Sequence, residues 1–164
     1  MKKDDKYEKI IKRFKPIIIG ELELSTQAKM SLMSALLHME FSHWTFCGFY
    51  IIRSPNLLEI GPYQGNIIPC THINIGKGVC GTSVEKRKTI IVEDVRKYDN
   101  YISCDSNTLS EIVIPIFMNN EIIAVLDIDS SIVNDFDQID KTYLEKNFIN
   151  VIKSLSKIER LYIS

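Results

Sequence analysis

Apolar residues in the first part of the chain recur at the three- and four-residue spacing of amphipathic helices. A first helix is predicted to end at Pro16, because the residue before a proline is driven out of the helical conformation. Its apolar face consists of Tyr7, Ile10, Ile11 and Phe14. A second helix is predicted behind Ser25, a suitable N-cap. Its apolar stripe consists of Ala28, Leu32, Met33, Leu36 and Leu37.

The middle of the chain changes to short runs rich in β-branched and aromatic residues, which predict antiparallel strands. Proline and glycine clusters at Ser54-Pro55-Asn56 and Gly61-Pro62 are expected to separate them. The polar stretch 96–110 is predicted to be a long loop, and long loops in compact domains are often functional. The other predicted elements are strands over 44–52, 57–60, 67–75 and 89–95, with a short helix over 79–86.

Alternation from residue 111 to residue 129 predicts a β-hairpin around Asn119-Asn120. A strict two-residue turn would pair Glu111 with Ile128, on the opposite face from Asp127 and Asp129. Shifting the pairing by one residue leaves one face wholly apolar and collects the three carboxylates on the other. We therefore predict a bulge or a three-residue loop in this hairpin.

A closing helix is predicted from the spacing of Leu144, Phe148, Val151, Ile152 and Leu155. Helices at both ends and strands between them predict a single α+β domain over residues 1–164, with the helices on one face of a mainly antiparallel sheet. The other sheet face is then free for a site. Ile123 and Val125 are expected beside Asp127 and Asp129, so that the carboxylates border an apolar pocket.

The charges favour neither a nucleic acid nor a membrane as a partner. The chain has 20 basic and 21 acidic residues, and they are interspersed rather than clustered. We find neither a signal-peptide core nor an apolar run long enough to cross a bilayer. We expect a cytoplasmic protein whose four cysteines are reduced at the outset.

Each cysteine therefore has its own interpretation. Cys104 lies in the polar loop, which favours an exposed or pocket-lining thiol, although composition alone favours an incidental loop cysteine and Asp105 should raise its pKa. Cys80 is the rival nucleophile, because the first turn of a helix favours a thiolate. Cys70 is expected to pack within a strand, and Cys47 to lie in the core.

Short motifs then run through nearly the whole chain in a fixed order. They are Cys47-Gly48-Phe49-Tyr50, Gly61-Pro62-Tyr63-Gln64-Gly65, Cys70 followed by residues 73–81, Val92-Glu93-Asp94-Val95, Cys104-Asp105, residues 110–115, residues 125–130 and Phe136-Asp137. This series resembles the GAF-domain free methionine-(R)-sulfoxide reductases. GAF domains in general share the fold but not the three spaced cysteines.

The resemblance implies thiol-dependent reduction of free L-methionine-(R)-sulfoxide, without a cofactor or a metal and with thioredoxin as the reductant. It makes Cys104 the nucleophile, Cys70 the resolving thiol and Cys80 a third redox cysteine. It makes three carboxylates the substrate-binding groups: Glu111, Asp127 and Asp129. The chain departs from the family at two positions. Phe46 stands where the family has a pocket tryptophan, and Trp44 is the candidate to take the place of that tryptophan. Leu109 stands where an arginine is expected.

Two other interpretations remain open. The chain could be a non-catalytic GAF sensor, but we expect no output domain in it, which favours the enzyme. A zinc site could use Cys70, His72, Cys80 and Cys104, but their spacing matches no standard ligand pattern, and His72 is better explained as structural. The sequence leaves a homodimer open.

Overall fold

The structure is a computed structural model that describes residues 2–18 and 24–149. Six strands form one antiparallel sheet in the order β3-β2-β1-β6-β5-β4. The strands are β1 (Trp44–Ser54), β2 (Leu57–Gly65), β3 (His72–Asn74), β4 (Ile90–Val92), β5 (Ser110–Met118) and β6 (Glu121–Ser130), and the α-helices are α1 (Lys3–Ile18), α2 (Thr26–Glu40), α3 (Gly78–Lys86) and α4 (Gln138–Tyr143). The predicted α+β class is confirmed.

Helices α1, α2 and α4 cover one face of the sheet, as predicted. Ser25 caps α2 by accepting a hydrogen bond from the Ala28 backbone N–H. Such a cap contributes about 1 kcal/mol. Met33 and Leu37 of α2 are completely buried, and each such side chain contributes about 1.5–3 kcal/mol. Packing therefore contributes more than the cap to holding α2 on the sheet.

Helix α3 and the loop from residue 98 to residue 109 cover the opposite face. A second apolar cluster lies beneath them, separate from the core under the terminal helices. It includes Phe46, Tyr50, Leu58, Val79, Val84, Val113 and Val125. The predicted short helix and long loop are therefore confirmed, and they form the wall of the region in which the site residues lie.

Several predicted boundaries are wrong. Pro16 does not end α1 but lies in its last turn, where its missing N–H costs at most one helical hydrogen bond. Gly61-Pro62 does not separate two strands, because both residues lie inside β2. The β1–β2 pairing shifts between Gly48–Tyr63 and Tyr50–Ile60, and a proline is tolerated at such an irregularity.

The other differences are shorter elements. The strand predicted over 67–75 is limited to His72–Asn74, and the strand predicted over 89–95 ends at Val92. A short 3-10 turn, Val95–Lys97, follows it. The closing segment begins with α4 and continues as a π-helical turn over Leu144–Ile149. The predicted positions Val151, Ile152 and Leu155 lie outside the described residues.

The β5–β6 hairpin has the predicted bulge. Asn119 and Asn120 form its tight turn with φ values of 49° and 67°. The register shifts between Ile116–Ala124 and Phe117–Ile122, which leaves Ile123 as the extra residue. Glu111 consequently pairs with Asp129 rather than Ile128, and all three carboxylates reach one pocket.

The same bulge corrects one detail of the predicted pocket. Ile123 packs against the core under the terminal helices, whereas Val125 belongs to the cluster on the site face. The extra residue reverses the alternation of side chains at this point of β6. Of the two residues expected beside the aspartates, Val125 therefore lies on the site face and Ile123 does not.

Candidate active site

A disulfide between Cys70 and Cys104 lies at the edge of the pocket. It joins residues 34 positions apart, and their Cα atoms are 5.4 Å from each other. Cys104 lies in the long loop and lines the pocket, as predicted. Cys70 lies in the β2–β3 connection rather than in a strand, because the strand predicted there is shorter. The Tyr50 hydroxyl donates a hydrogen bond to the Cys70 carbonyl oxygen at 2.9 Å.

Glu111, Asp127 and Asp129 line the same pocket. Glu111 is 5% exposed and Asp127 is 6% exposed. Among the described residues, Asp127 Oδ1 is buried without a hydrogen-bond partner. A buried acceptor of this kind is costly unless a ligand or water completes it. The pocket therefore offers a free carboxylate oxygen to a donor from outside the chain.

Burial raises the pKa of all three carboxyl groups. The pKa of Asp127 rises from 3.8 to about 7, mainly through desolvation and in spite of hydrogen bonds from Cys80 and Glu111. Burial and then the charge of Asp127 raise the pKa of Glu111 and of Asp129 well above their usual values. Like charges this close do not all ionise at neutral pH, so the cluster retains at least one proton.

Asp105 is a fourth acidic residue near this cluster. Its charge adds to the effects of burial and of Asp127 in raising the pKa of Asp129. From the sequence, Asp105 is expected only to raise the pKa of the neighbouring Cys104. The only signal in the sequence is that Asp105 directly follows Cys104. Its position relative to β6 depends on how the loop folds.

Cys80 lies in the first turn of α3, as expected, but its predicted low pKa is wrong. Burial raises the pKa of this thiol well above 9.0, and the charges of Asp127 and Glu111 raise it further. Helix α3 packs closely against the sheet, since a Cβ on Gly81 would lie 2.3 Å from the Asn74 carbonyl oxygen. Desolvation and nearby carboxylates thus outweigh the helix N-terminus, and Cys80 remains a buried free thiol.

The apolar wall contains Phe46 but not Trp44. Phe46 lines the pocket, and its ring stacks on Tyr63 with centroids 5.5 Å apart. Trp44 lies under the terminal helices, stacked on Phe41 at 4.0 Å. The β1–β6 register shifts between Trp44 and Phe46, so Thr45 is an extra residue and the two rings face opposite sides. The prediction that Trp44 replaces the usual tryptophan is therefore wrong.

The structure also separates the ligands of the alternative zinc site. Cys70 and Cys104 are joined to each other, and His72 is an exposed residue of β3 whose Nε2 lies 3.5 Å from Glu59. Cys80 remains a free thiol, and its candidate ligand group among the described residues contains Glu111 and Asp127 but none of the other three proposed zinc ligands. Cys47 is completely buried in the core, as predicted.

The arrangement supports two-electron thiol chemistry. Two cysteines able to form a disulfide stand beside a carboxyl cluster that retains a proton, in a pocket with aromatic and aliphatic walls. Such a site can supply a nucleophile, an acid and a carboxylate for a cationic group.

Comparison with known proteins agrees with this chemistry. The GAF domain family matches residues 27–149. A relative from Escherichia coli K12, named free methionine-R-sulfoxide reductase, is 35% identical over 158 residues, which cover 96% of this chain and 91% of that protein. This chain belongs to the GAF-domain free methionine-R-sulfoxide reductases.

Two solved structures support membership of the reductase family at the level of the fold. One is the free methionine-R-sulfoxide reductase of Neisseria meningitidis in complex with its substrate, with a TM-score of 0.89 and 30% identity, covering 99% of this chain and 95% of that one. The other is fRMsr of Staphylococcus aureus in its reduced form, with a TM-score of 0.81 and 44% identity, covering 90% of this chain and 92% of that one.

Within residues 2–18 and 24–149, no helix has the length and apolar content needed to cross a bilayer.

Proposed function

We propose that this protein reduces free L-methionine-(R)-sulfoxide to methionine, with Cys104 as the nucleophile and Cys70 as the resolving thiol. The observation that carries this proposal is that Cys104, joined to Cys70 by a disulfide, lines one pocket with three carboxylates. A disulfide is the expected product of the thiols in this reaction. The reaction also needs a proton donor and a group that binds the substrate ammonium, and the carboxyl cluster can supply both.

The reaction proceeds in two steps. The Cys104 thiolate attacks the sulfoxide sulfur while the oxygen is protonated, and the products are methionine and a Cys104 sulfenic acid. The Cys70 thiol then attacks the sulfenic sulfur, water leaves and the disulfide forms. Overall, two thiols lose two electrons and two protons, and the sulfoxide becomes a thioether and water.

The carboxyl cluster has two tasks in this scheme. A member that is protonated at neutral pH donates the proton to the sulfoxide oxygen. An ionised member binds the substrate ammonium, and the unpartnered Asp127 Oδ1 is suited to accept that hydrogen bond. A methionine inside a protein lacks the ammonium group. The site therefore selects the free amino acid, with Phe46 in the wall around its apolar end.

Regeneration needs an external dithiol, for which we propose thioredoxin in the cytoplasm. Both cysteines of the disulfide are partly exposed, which suits attack by the thiolate of a partner protein. Cys80 also lines the pocket and stays a free thiol in the disulfide-bonded state. A single chain contributes every proposed site residue, so the reaction does not require a homodimer.

A coupled assay tests the reaction. With thioredoxin, thioredoxin reductase and NADPH, the protein should reduce free L-methionine-(R)-sulfoxide but neither the S epimer nor the N-acetylated R compound. Cys104→Ser should abolish turnover and retain substrate binding, because a hydroxyl here has no base to activate it. Cys47→Ala is the matched control and should remain active, since Cys47 lies in the core.

The same experiment distinguishes a non-catalytic GAF sensor. A sensor would bind the sulfoxide without consuming NADPH, and Cys104→Ser would behave like the wild-type protein. Either result would contradict the proposed enzyme.

A further inference from the structure

Cys80 contributes to a second arrangement of ligand atoms besides the disulfide site. Its Sγ and one carboxylate oxygen each from Glu111 and Asp127 all lie within 4.8 Å of one another. They come from the first turn of α3, the start of β5 and the middle of β6. Cys80 is 2% exposed, Glu111 is 5% exposed and Asp127 is 6% exposed. Among the described residues, this is the one such group of cysteine, histidine and carboxylate atoms.

The buried Asp127 Oδ1 independently indicates a ligand at this position, because it has no hydrogen-bond partner among the described residues. The space available beside it is also informative. With the Cys70–Cys104 disulfide closed, the pocket holds a cavity of about 30 Å³. A cavity needs about 10–15 Å³ of such space to hold one water. An ion with a bound water fits such a space, whereas an amino acid requires the pocket to open.

We propose that the disulfide-bonded protein binds one Zn²⁺-like divalent ion through Cys80 Sγ and the carboxylates of Glu111 and Asp127. Water would occupy the fourth tetrahedral position. A thiolate with two carboxylates suits a borderline-soft cation and does not suit Mg²⁺ or Ca²⁺, which prefer ligand sets made of oxygen alone. The Cys80 proton is released on binding, because the ligand is the thiolate.

The geometry requires only a small adjustment. Tetrahedral coordination at the usual Zn–S and Zn–O lengths separates sulfur from oxygen by about 3.6 Å. The ligand atoms, at no more than 4.8 Å, need to approach by about 1 Å, which side-chain rotation at the two carboxylates can supply. No backbone movement of β5 or β6 is needed.

Occupation by the ion has a consequence that rests on the proposed function. The ion would take the carboxylates that are proposed to bind the substrate ammonium and to supply a proton. An ion that stays bound after the disulfide is reduced should therefore inhibit the reductase by competing with the sulfoxide. The ion and the disulfide can coexist, because Cys80 takes no part in the Cys70–Cys104 bond.

Cobalt(II) titration of the disulfide-bonded protein tests the site directly. Cobalt replaces zinc in tetrahedral sites and gives a thiolate-to-cobalt absorption band in the near ultraviolet together with strong visible bands. We expect these bands to saturate at one ion per chain and to disappear on addition of Zn²⁺. Among the four cysteines, only Cys47 and Cys80 are free thiols in this state. A thiolate-to-cobalt band must therefore come from one of these two sulfur atoms.

Three variants complete the test. Cys80→Ser should lose the near-ultraviolet band, and Cys47→Ala should keep it. Asp127→Asn should weaken cobalt binding by about tenfold or more. Mutating a residue that only hydrogen-bonds to a metal ligand already lowers metal affinity by about this factor, and losing the ligand itself should lower it at least as much. The proposal is overturned if the wild-type protein gives no charge-transfer band at millimolar cobalt, or if the band survives in Cys80→Ser. Because the spectra do not depend on turnover, they decide the site even if the reductase activity is absent.

Discussion

Replacing Asp127 by asparagine should change how the stability of the disulfide-bonded protein depends on pH. Burial raises the pKa of this carboxyl group from 3.8 to about 7. Between these values the folded protein holds a proton that the unfolded chain has released. The folded state therefore binds more protons, so the free energy of unfolding falls as the pH rises toward 7 and then levels off.

The size of this effect follows from the shift. A difference of about three pKa units, at about 1.4 kcal/mol each, corresponds to about 4 kcal/mol when the group is fully ionised. Somewhat more than half of this loss, about 2–3 kcal/mol, falls between pH 5 and pH 8. Asparagine is neutral throughout this range. From pH 5 to pH 8, the unfolding free energy of Asp127→Asn should therefore rise by about 2–3 kcal/mol relative to that of the wild-type protein.

Urea unfolding followed by circular dichroism at pH 5, 6, 7 and 8 measures this shift, with the Cys70–Cys104 disulfide intact in every sample. Asp99→Asn is the matched control, because it makes the same substitution at an exposed position that does not line the pocket. Parallel profiles for Asp127→Asn and the wild-type protein would refute the argument. They would mean that the ionised carboxylate is not destabilised by its surroundings.

Two further predictions concern the thiols and the contact between β1 and β2. One equivalent of methionine-(R)-sulfoxide without a reductant should convert the reduced protein to the Cys70–Cys104 disulfide, as mapped by mass spectrometry, and a disulfide that includes Cys47 would contradict the thiol assignment. Gly48→Ala should lower the free energy of unfolding, measured in urea, by about 1–3 kcal/mol. The reason is that the new Cβ would lie 2.3 Å from the Tyr63 Cβ. Unchanged stability would contradict this prediction and would show that β1 and β2 can move apart.

The sequence contained enough information for most of the helices and for the orientation of the carboxylates. Helical spacing and the Ser25 cap located α2, because both signals are local. The hairpin is more instructive, since only a one-residue shift gives β5 and β6 a continuous apolar face. The predicted bulge near Asn119-Asn120, and with it the clustering of Glu111 and Asp127, therefore follows from the sequence pattern alone.

The tertiary structure decided what depends on neighbours distant in the chain. Phe46 and Trp44 have the same parity in the sequence, yet the irregularity at Thr45 directs them to opposite faces, because it arises from pairing with β6. The thiol pKa of Cys80 shows the same limit. Its position in α3 is local, but the burial and negative charge that raise its pKa come from the sheet packed against that helix.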